Sequence, residues 1–308
     1  MHGLAVLPDD TLIACTEGRH EVCDAGPHDL LIRRSTDGGQ TWTPSYAVVP
    51  SVSGQSWANP TFVVDRTTGE VFLFHGLCER LPENTSCSSD TSTVYVISST
   101  DKGVTWSAPR SLAGLFDHFP YSWKMHGPGP GHGIQLDSGR LLVTISHRTI
   151  ITGVPAADRN YGVSTVYSDD HGRSWLAGGE VPMGFGIPTL GEARLLQRAD
   201  GTVVLNSRPG SGNDWPRGIA VSEDGGLSWS RPVMDFSAGL FNGVDTGLTR
   251  YIGNRVLFSR PDAPMRWNMT VSVSYDEGES FRYARTVHQG RGYYSDLAHL
   301  SGTAVWSL

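Results

Sequence analysis

A chain of 308 residues, 38% hydrophobic and 18% charged, is long enough for one large all-β domain or two ordinary domains. Its formal charge of −7 excludes a nucleic-acid partner, which needs a basic face, but not an anionic small ligand met by a few converging arginines. No apolar run is long enough to span a membrane, and 37 glycines and 18 prolines favour short strands joined by tight turns.

In chain order, an apolar-alternating strand at Asp29 to Arg34 runs into the turn STDGGQTW, Ser35 to Trp42. The same pattern, Ser-x-Asp-x-Gly-x-Ser/Thr-aromatic, returns after the strand Thr93 to Ser98 as STDKGVTW, Ser99 to Trp106. It recurs as SDDHGRSW (Ser168 to Trp175), as SEDGGLSW (Ser222 to Trp229) and, after Thr270 to Ser274, as SYDEGESF (Ser274 to Phe281). The closing aromatics stand 64, 69, 54 and 52 positions apart, a period that fits one four-stranded unit per copy. The aspartate accepts backbone N–H groups of its own loop, the glycine supplies a positive φ, and the aromatic plugs the turn into its unit's core. Asp37, Asp101, Asp170, Asp224 and Asp276 are therefore structural. Five such turns, with a sixth unit beginning near Gly290, predict a single-domain six-bladed β-propeller over residues 1–308. Cys78 and Cys87 flank the polar loop Glu79 to Ser86 and would staple it in an exported protein. None of the cysteines has metal-ligand spacing.

These turns resemble the Asp-boxes of the sialidase (neuraminidase) superfamily. The segments between them extend the likeness over nearly the whole chain: LAVLPDDTLIACTEGR from Leu4, GPGPGHGIQLDSGRLLV from Gly127, GEARLLQRADGTVVLNSR from Gly191 and GYYSDLAHL from Gly292. The resemblance implies a secreted exo-sialidase that hydrolyses terminal α-linked sialic acid with retention, without cofactor or metal, acting as a monomer on sialylated glycans. The substrate's anomeric carbon carries a carboxylate that repels an anionic nucleophile, so a neutral tyrosine activated by a glutamate replaces the usual carboxylate. On this resemblance Tyr294 is the nucleophile, with Tyr293 the competitor, and Glu192 is its base. Asp24 is the acid/base, with Asp29 as rival.

Fixed guanidinium groups must hold the substrate carboxylate. Arg208 and Arg266 match two members of the family's three-arginine clamp, with Arg260 the runner-up to Arg266, and Arg19 matches a further pocket arginine. Asn59 stands where some members line the pocket, and Trp123 with Met125 is placed at an N-acetyl pocket, with core packing equally open. The family's first clamp arginine precedes the strand matched by Leu4 to Leu7 and falls one position before Met1. The chain also ends before the family's closing strands. The resemblance thus implies truncation at both ends and an incompletely closed last blade, built from Leu4 to Leu7 and about Asp296 to Trp306. A sugar-binding propeller of weakened or lost activity is the competing expectation.

Overall fold

In the computed structural model the described residues are 2–21, 26–52, 55–79, 92–119, 123, 125–149, 161–184, 188–209, 216–240, 243–262, 266–302 and 305–307. They contain strands and turns and no helix. The first unit is an antiparallel meander of β1 (His2–Val6), β2 (Leu12–Arg19), β3 (His28–Ser35) and β4 (Tyr46–Val49). The second, β5 (Gln55–Val64), β6 (Val71–Glu79), β7 (Val94–Ser99) and β8 (Arg110–Ser111), joins the first through one parallel pairing, His28 opposite Ser56.

The third unit has a broken inner edge, β9 (Met125–Pro128) and β11 (Ile134–Gln135), both paired with β12 (Leu141–Arg148), followed by β13 (Tyr161–Ser168) and β14 (Leu176–Glu180); between them β10 (Gly131–His132) leaves this sheet and pairs parallel with β5. Two regular meanders follow. One is β15 (Leu190–Gln197), β16 (Val203–Pro209), β17 (Arg217–Ser222) and β18 (Val233–Asp235); the other is β19 (Gly247–Arg250), β20 (Val256–Pro261), β21 (Trp267–Ser274) and β22 (Tyr283–Arg291). The last sheet pairs β23 (Leu297–His299) with β24 (Val305–Ser307).

Each of the five repeated turns joins the third strand of its meander to the fourth, and the hydrogen bonding is the same in each. In the first, Ser35 Oγ donates to Asp37 Oδ1 (2.8 Å), while Thr41 N donates to Oδ1 (2.9 Å) and Thr41 Oγ1 to Oδ2 (2.6 Å). Those bonds to Thr41 and Ser35 hold the Asp37 carboxyl down at about 2.

The closing aromatic reaches its own unit's core, as expected, with Phe281 against Phe258 and Trp106 against Phe62, and it also seals the joint with the neighbouring unit. Trp175 packs edge-on against Phe72 and Phe74 of β6 (ring centroids 5.4 and 4.7 Å), and Trp42 packs beside Leu4, Leu12, Ala298 and Leu300. The turn glycine lies on the same joint, since a Cβ at Gly172 would come within 2.0 Å of the Phe72 ring. Turn and aromatic together transmit the register of one unit to the next.

Two boundaries also shift. Gly290 and Arg291 complete β22, so the sixth sheet starts with β23. Leu4 belongs to β1, the inner strand of the first meander, and Leu7 follows that strand's end; the segment is not part of the last sheet. First and last units nevertheless meet, through side chains rather than a strand ladder. Leu4 N donates to Asp296 Oδ2 (2.9 Å), Ser301 N donates to Asp10 Oδ1 (2.8 Å), and Leu4, Leu12, Ala298 and Leu300 share a core.

The inner strands crowd the axis, which accounts for the glycine run after β9. A Cβ on Gly131, whose φ is +106°, would lie 1.4 Å from the Arg194 guanidinium. Cys78 is disulfide-bonded; its expected partner, Cys87, lies outside the described residues.

Candidate active site

A cavity of about 630 Å³ opens at one end of these inner strands. Tyr294, half-buried on the segment entering β23, donates its hydroxyl proton to Glu192 Oε1 (2.9 Å). Arg208 Nη1 donates to Glu192 Oε2 (2.8 Å) and to the Tyr294 hydroxyl oxygen (2.9 Å). Three side chains from β15, β16 and the approach to β23 thus close a triangle across sequence separations of 102 and 86.

Glu192 lies within β15, where the register with β16 shifts between Leu190 and Ala193. That bulge takes Glu192 out of the regular ladder alternation and re-aims its side chain at the cavity.

The electrostatics suit a neutral phenol. Burial and the adjacent Glu192 carboxylate push the Tyr294 hydroxyl well above its ordinary value, with Arg208 opposing. Burial works against the Arg208 charge, but Glu192 and Tyr294 outweigh it and hold the guanidinium protonated. The phenol is therefore held neutral, with the Arg208 guanidinium against its oxygen.

The remaining wall is cationic. Arg19, at the end of β2, donates through Nε (3.0 Å) and Nη2 (2.7 Å) to Oε2 of Glu17, whose Oε1 accepts Asn59 N (3.0 Å). Asn59 has a left-handed backbone (φ 56°) at the register shift of β5 against β6 and donates its amide to Pro128 O (3.0 Å). Arg266 is also left-handed (φ 56°) and donates to Gly243 O (2.7 Å). Both conformations are uncommon for residues with a Cβ, and both belong to residues that line the cavity.

Six residues singled out from sequence, Arg19, Asn59, Glu192, Arg208, Arg266 and Tyr294, line this one cavity together with Tyr293 and Met125. Three others stand apart. Trp123 is buried, stacked on His147 (ring centroids 5.5 Å, 22°), with its indole N–H donated to Glu180, and it is not among the lining residues. Arg260 is buried against Asp262 (2.8 Å). Asp29 accepts Ser51 N (2.6 Å) and faces His20 Nε2 (2.9 Å), away from the lining. Asp24 lies outside the described residues.

Sequence reasoning missed Glu17, Arg148 and Tyr161, all in the lining. Glu17 was readable in principle: residues two apart on a strand share a face, so Thr-Glu-Gly-Arg sets a carboxylate beside Arg19.

The BNR repeat-like domain model matches residues 10–305. The chain is 33% identical to a sialidase of Micromonospora viridifaciens over 96% of its own length and 47% of that protein. It is 33% identical to mouse Sialidase-4 over 73% of its length and 48% of that protein. Among solved structures, a Hadza microbial sialidase superposes on 100% of this chain and 62% of its own with a TM-score of 0.85 at 23% identity. A leech intramolecular trans-sialidase does so on 100% of this chain and 64% of its own at 0.78 and 18%. The fold is accordingly of the propeller type, and the chain belongs to the sialidase superfamily with BNR (Asp-box) repeats. It spans about half the length of the curated relatives it matches.

Proposed function

We propose that residues 1–308 form one six-bladed propeller domain of a secreted exo-sialidase that hydrolyses terminal α-linked sialic acid with retention. The observation that carries this reading is the Tyr294–Glu192–Arg208 triangle on a cavity walled by Arg19 and Arg266. The disulfide at Cys78 supports an exported setting.

The guanidiniums of Arg208 and Arg266, with Arg19 beside them, hold the substrate carboxylate, and Asn59 lines the sugar pocket. The Tyr294 oxygen attacks the anomeric carbon as its proton passes to Glu192. The bond to the aglycone oxygen breaks, and that oxygen takes its proton from Asp24. Water, deprotonated by Asp24, then attacks the same carbon; the tyrosyl oxygen leaves and recovers its proton from Glu192. Two inversions give net retention.

The test is turnover of a fluorogenic sialoside. Tyr294→Phe is expected to keep its Tm and lose about 10³-fold or more in kcat, since only the reacting hydroxyl is removed. Asp24→Ala is expected to spare an activated nitrophenyl-type sialoside and lose most of its rate on sialyllactose. Near-normal turnover in Tyr294→Phe contradicts the assignment, and sialic-acid binding without turnover in the unaltered chain establishes a lectin-like pocket instead.

A further inference from the structure

Directly beneath the Tyr294–Glu192 couple lies a layer of buried charge that the proposed chemistry does not use. Glu192 and Arg194 are two apart on β15, and Tyr294 and Asp296 are two apart on the segment entering β23. The two strands therefore face each other twice, first through the hydroxyl–carboxylate bond and one layer deeper through an ion pair. Arg194 Nη1 lies 3.4 Å from Asp296 Oδ1, with both side chains at most 1% exposed.

The arginine is gripped from several units at once. Its Nη2 donates to Asp245 Oδ2 (2.5 Å) and to Ser295 O (3.3 Å), and its Nε donates to Thr246 O (2.7 Å). Asp296 in turn accepts Leu4 N (2.9 Å) and Leu297 N (3.0 Å) and faces His132 Nδ1 (2.8 Å). The backbone on either side of Tyr294's neighbour Ser295 is thus tied to β1, β10, β15 and the approach to β19.

Stability alone is a poor explanation for such a layer. A buried ion pair is often no more stabilising than apolar residues of the same volume. This one also leaves Arg194 Nη1 and Asp245 Oδ1 without a hydrogen bond. It further requires a glycine at 131, where any side chain would collide with the guanidinium. What the layer does supply is geometry. The β15 bulge releases Glu192 from the strand ladder, and among the described residues no strand pairing holds Tyr294, so the spacing of the couple depends on what lies below it.

We infer that Arg194 and Asp296 are positioning residues, an ion pair that sets the distance and angle between the Tyr294 hydroxyl and the Glu192 carboxylate. The inference rests on the reading of Tyr294 as nucleophile. A displacement of the order of an ångström in a reacting pair costs about two decades in rate, and it appears in kcat rather than KM when substrate contacts are intact.

Asp296→Asn keeps the side-chain volume and an acceptor for Leu4 N but removes one of the two carboxylates facing Arg194, the one on the Tyr294 segment, while Asp245 remains. Its kcat is expected to fall about 30-fold with KM within about threefold. Leu205→Ala, a buried truncation in β16 that lowers Tm by at least as much, is expected to leave kcat within about twofold. In a Tyr294→Phe background Asp296→Asn is expected to change the residual rate less than about twofold, because no hydroxyl remains to be placed. Should Asp296→Asn fail to fold, Arg194→Lys replaces it. Lysine keeps the charge without the fork that spans Thr246, Ser295 and Asp245, and about a fivefold loss confined to kcat is expected. A kcat loss no larger than that of Leu205→Ala, or full multiplicativity with Tyr294→Phe, overturns the positioning role. Near-normal turnover in Tyr294→Phe alone sinks the nucleophile assignment instead, a result the single Asp296 or Arg194 variants do not produce.

Discussion

The repeated turns and the axial cavity use overlapping residue types to opposite ends. In each turn an aspartate accepts hydrogen bonds from groups two to four positions away: at Asp224 these are Ser222 Oγ (2.7 Å), Leu227 N (3.0 Å), Ser228 N (2.9 Å) and Ser228 Oγ (2.6 Å). At the cavity the bonds of the Tyr294 triangle join distant segments, as between Tyr294 and Glu192 or between Arg208 and Tyr294. A local motif satisfies its own polar groups and then packs, so it builds the scaffold. A long-range cluster places unlike charges together only because the scaffold already exists, and the groups proposed to react lie there. The five aspartates belong to structure despite being the most regular carboxylates in the chain.

Several substitutions would sharpen or break that division. After Tyr294 itself, the largest effect is expected at Arg208, which touches both members of the couple. Arg208→Lys retains one charge but loses the planar fork, and kcat/KM should fall about 100-fold, given that a charge-assisted bond contributes about 1.5–3 kcal/mol. A variant within twofold of the unaltered chain would remove Arg208 from the proposed site.

Asp224→Ala is the counterpart in the scaffold. Losing several net hydrogen bonds of about 1 kcal/mol each should lower Tm by about 5 °C while kcat/KM stays within about twofold. A collapse of activity at unchanged Tm would erase the distinction between turn and site.

The smallest effect concerns pH. Burial raises Glu180 to about 7, against the Trp123 hydrogen bond that favours its charged form. Because the folded-state value lies above the unfolded one, the folded chain holds the extra proton between the two. Stability from this group is therefore present below the ordinary carboxylate range and is lost as pH rises through about 7. Glu180 is only half-buried, so the effect is small. Glu180→Gln should flatten the decline in Tm between pH 5 and 8 by about 2 °C, and an unchanged pH profile would contradict the burial argument.

The same contrast explains what could be read from sequence. The turns were legible because their hydrogen bonds close within four residues, so spacing alone marked all five as turns between strands; that each joins a third strand to a fourth appears only in the structure. The partners of their aromatics were not, because Trp175 meets Phe72 and Phe74 across a joint that local spacing does not encode. Arg19, Asn59, Glu192, Arg208, Arg266 and Tyr294 were named through family resemblance, and their convergence on one cavity appears only in three dimensions. Arg194 shows the limit most clearly. An arginine is ordinarily a solvated surface charge, and nothing in Glu-Ala-Arg signals that this one is buried between two aspartates more than fifty positions away.

The central claim is that the Tyr294 hydroxyl, paired with Glu192, bonds covalently to the sugar. Incubation with a 2,3-difluorosialic acid, followed by intact-mass measurement and peptide mapping, reads that bond directly. One added fluorosialyl group per chain is expected, on the peptide carrying Tyr293 and Tyr294, with fragmentation placing it at Tyr294 and no adduct in Tyr294→Phe. An adduct on another residue, or turnover of the sialoside with no trapped species on Tyr294, would contradict that claim.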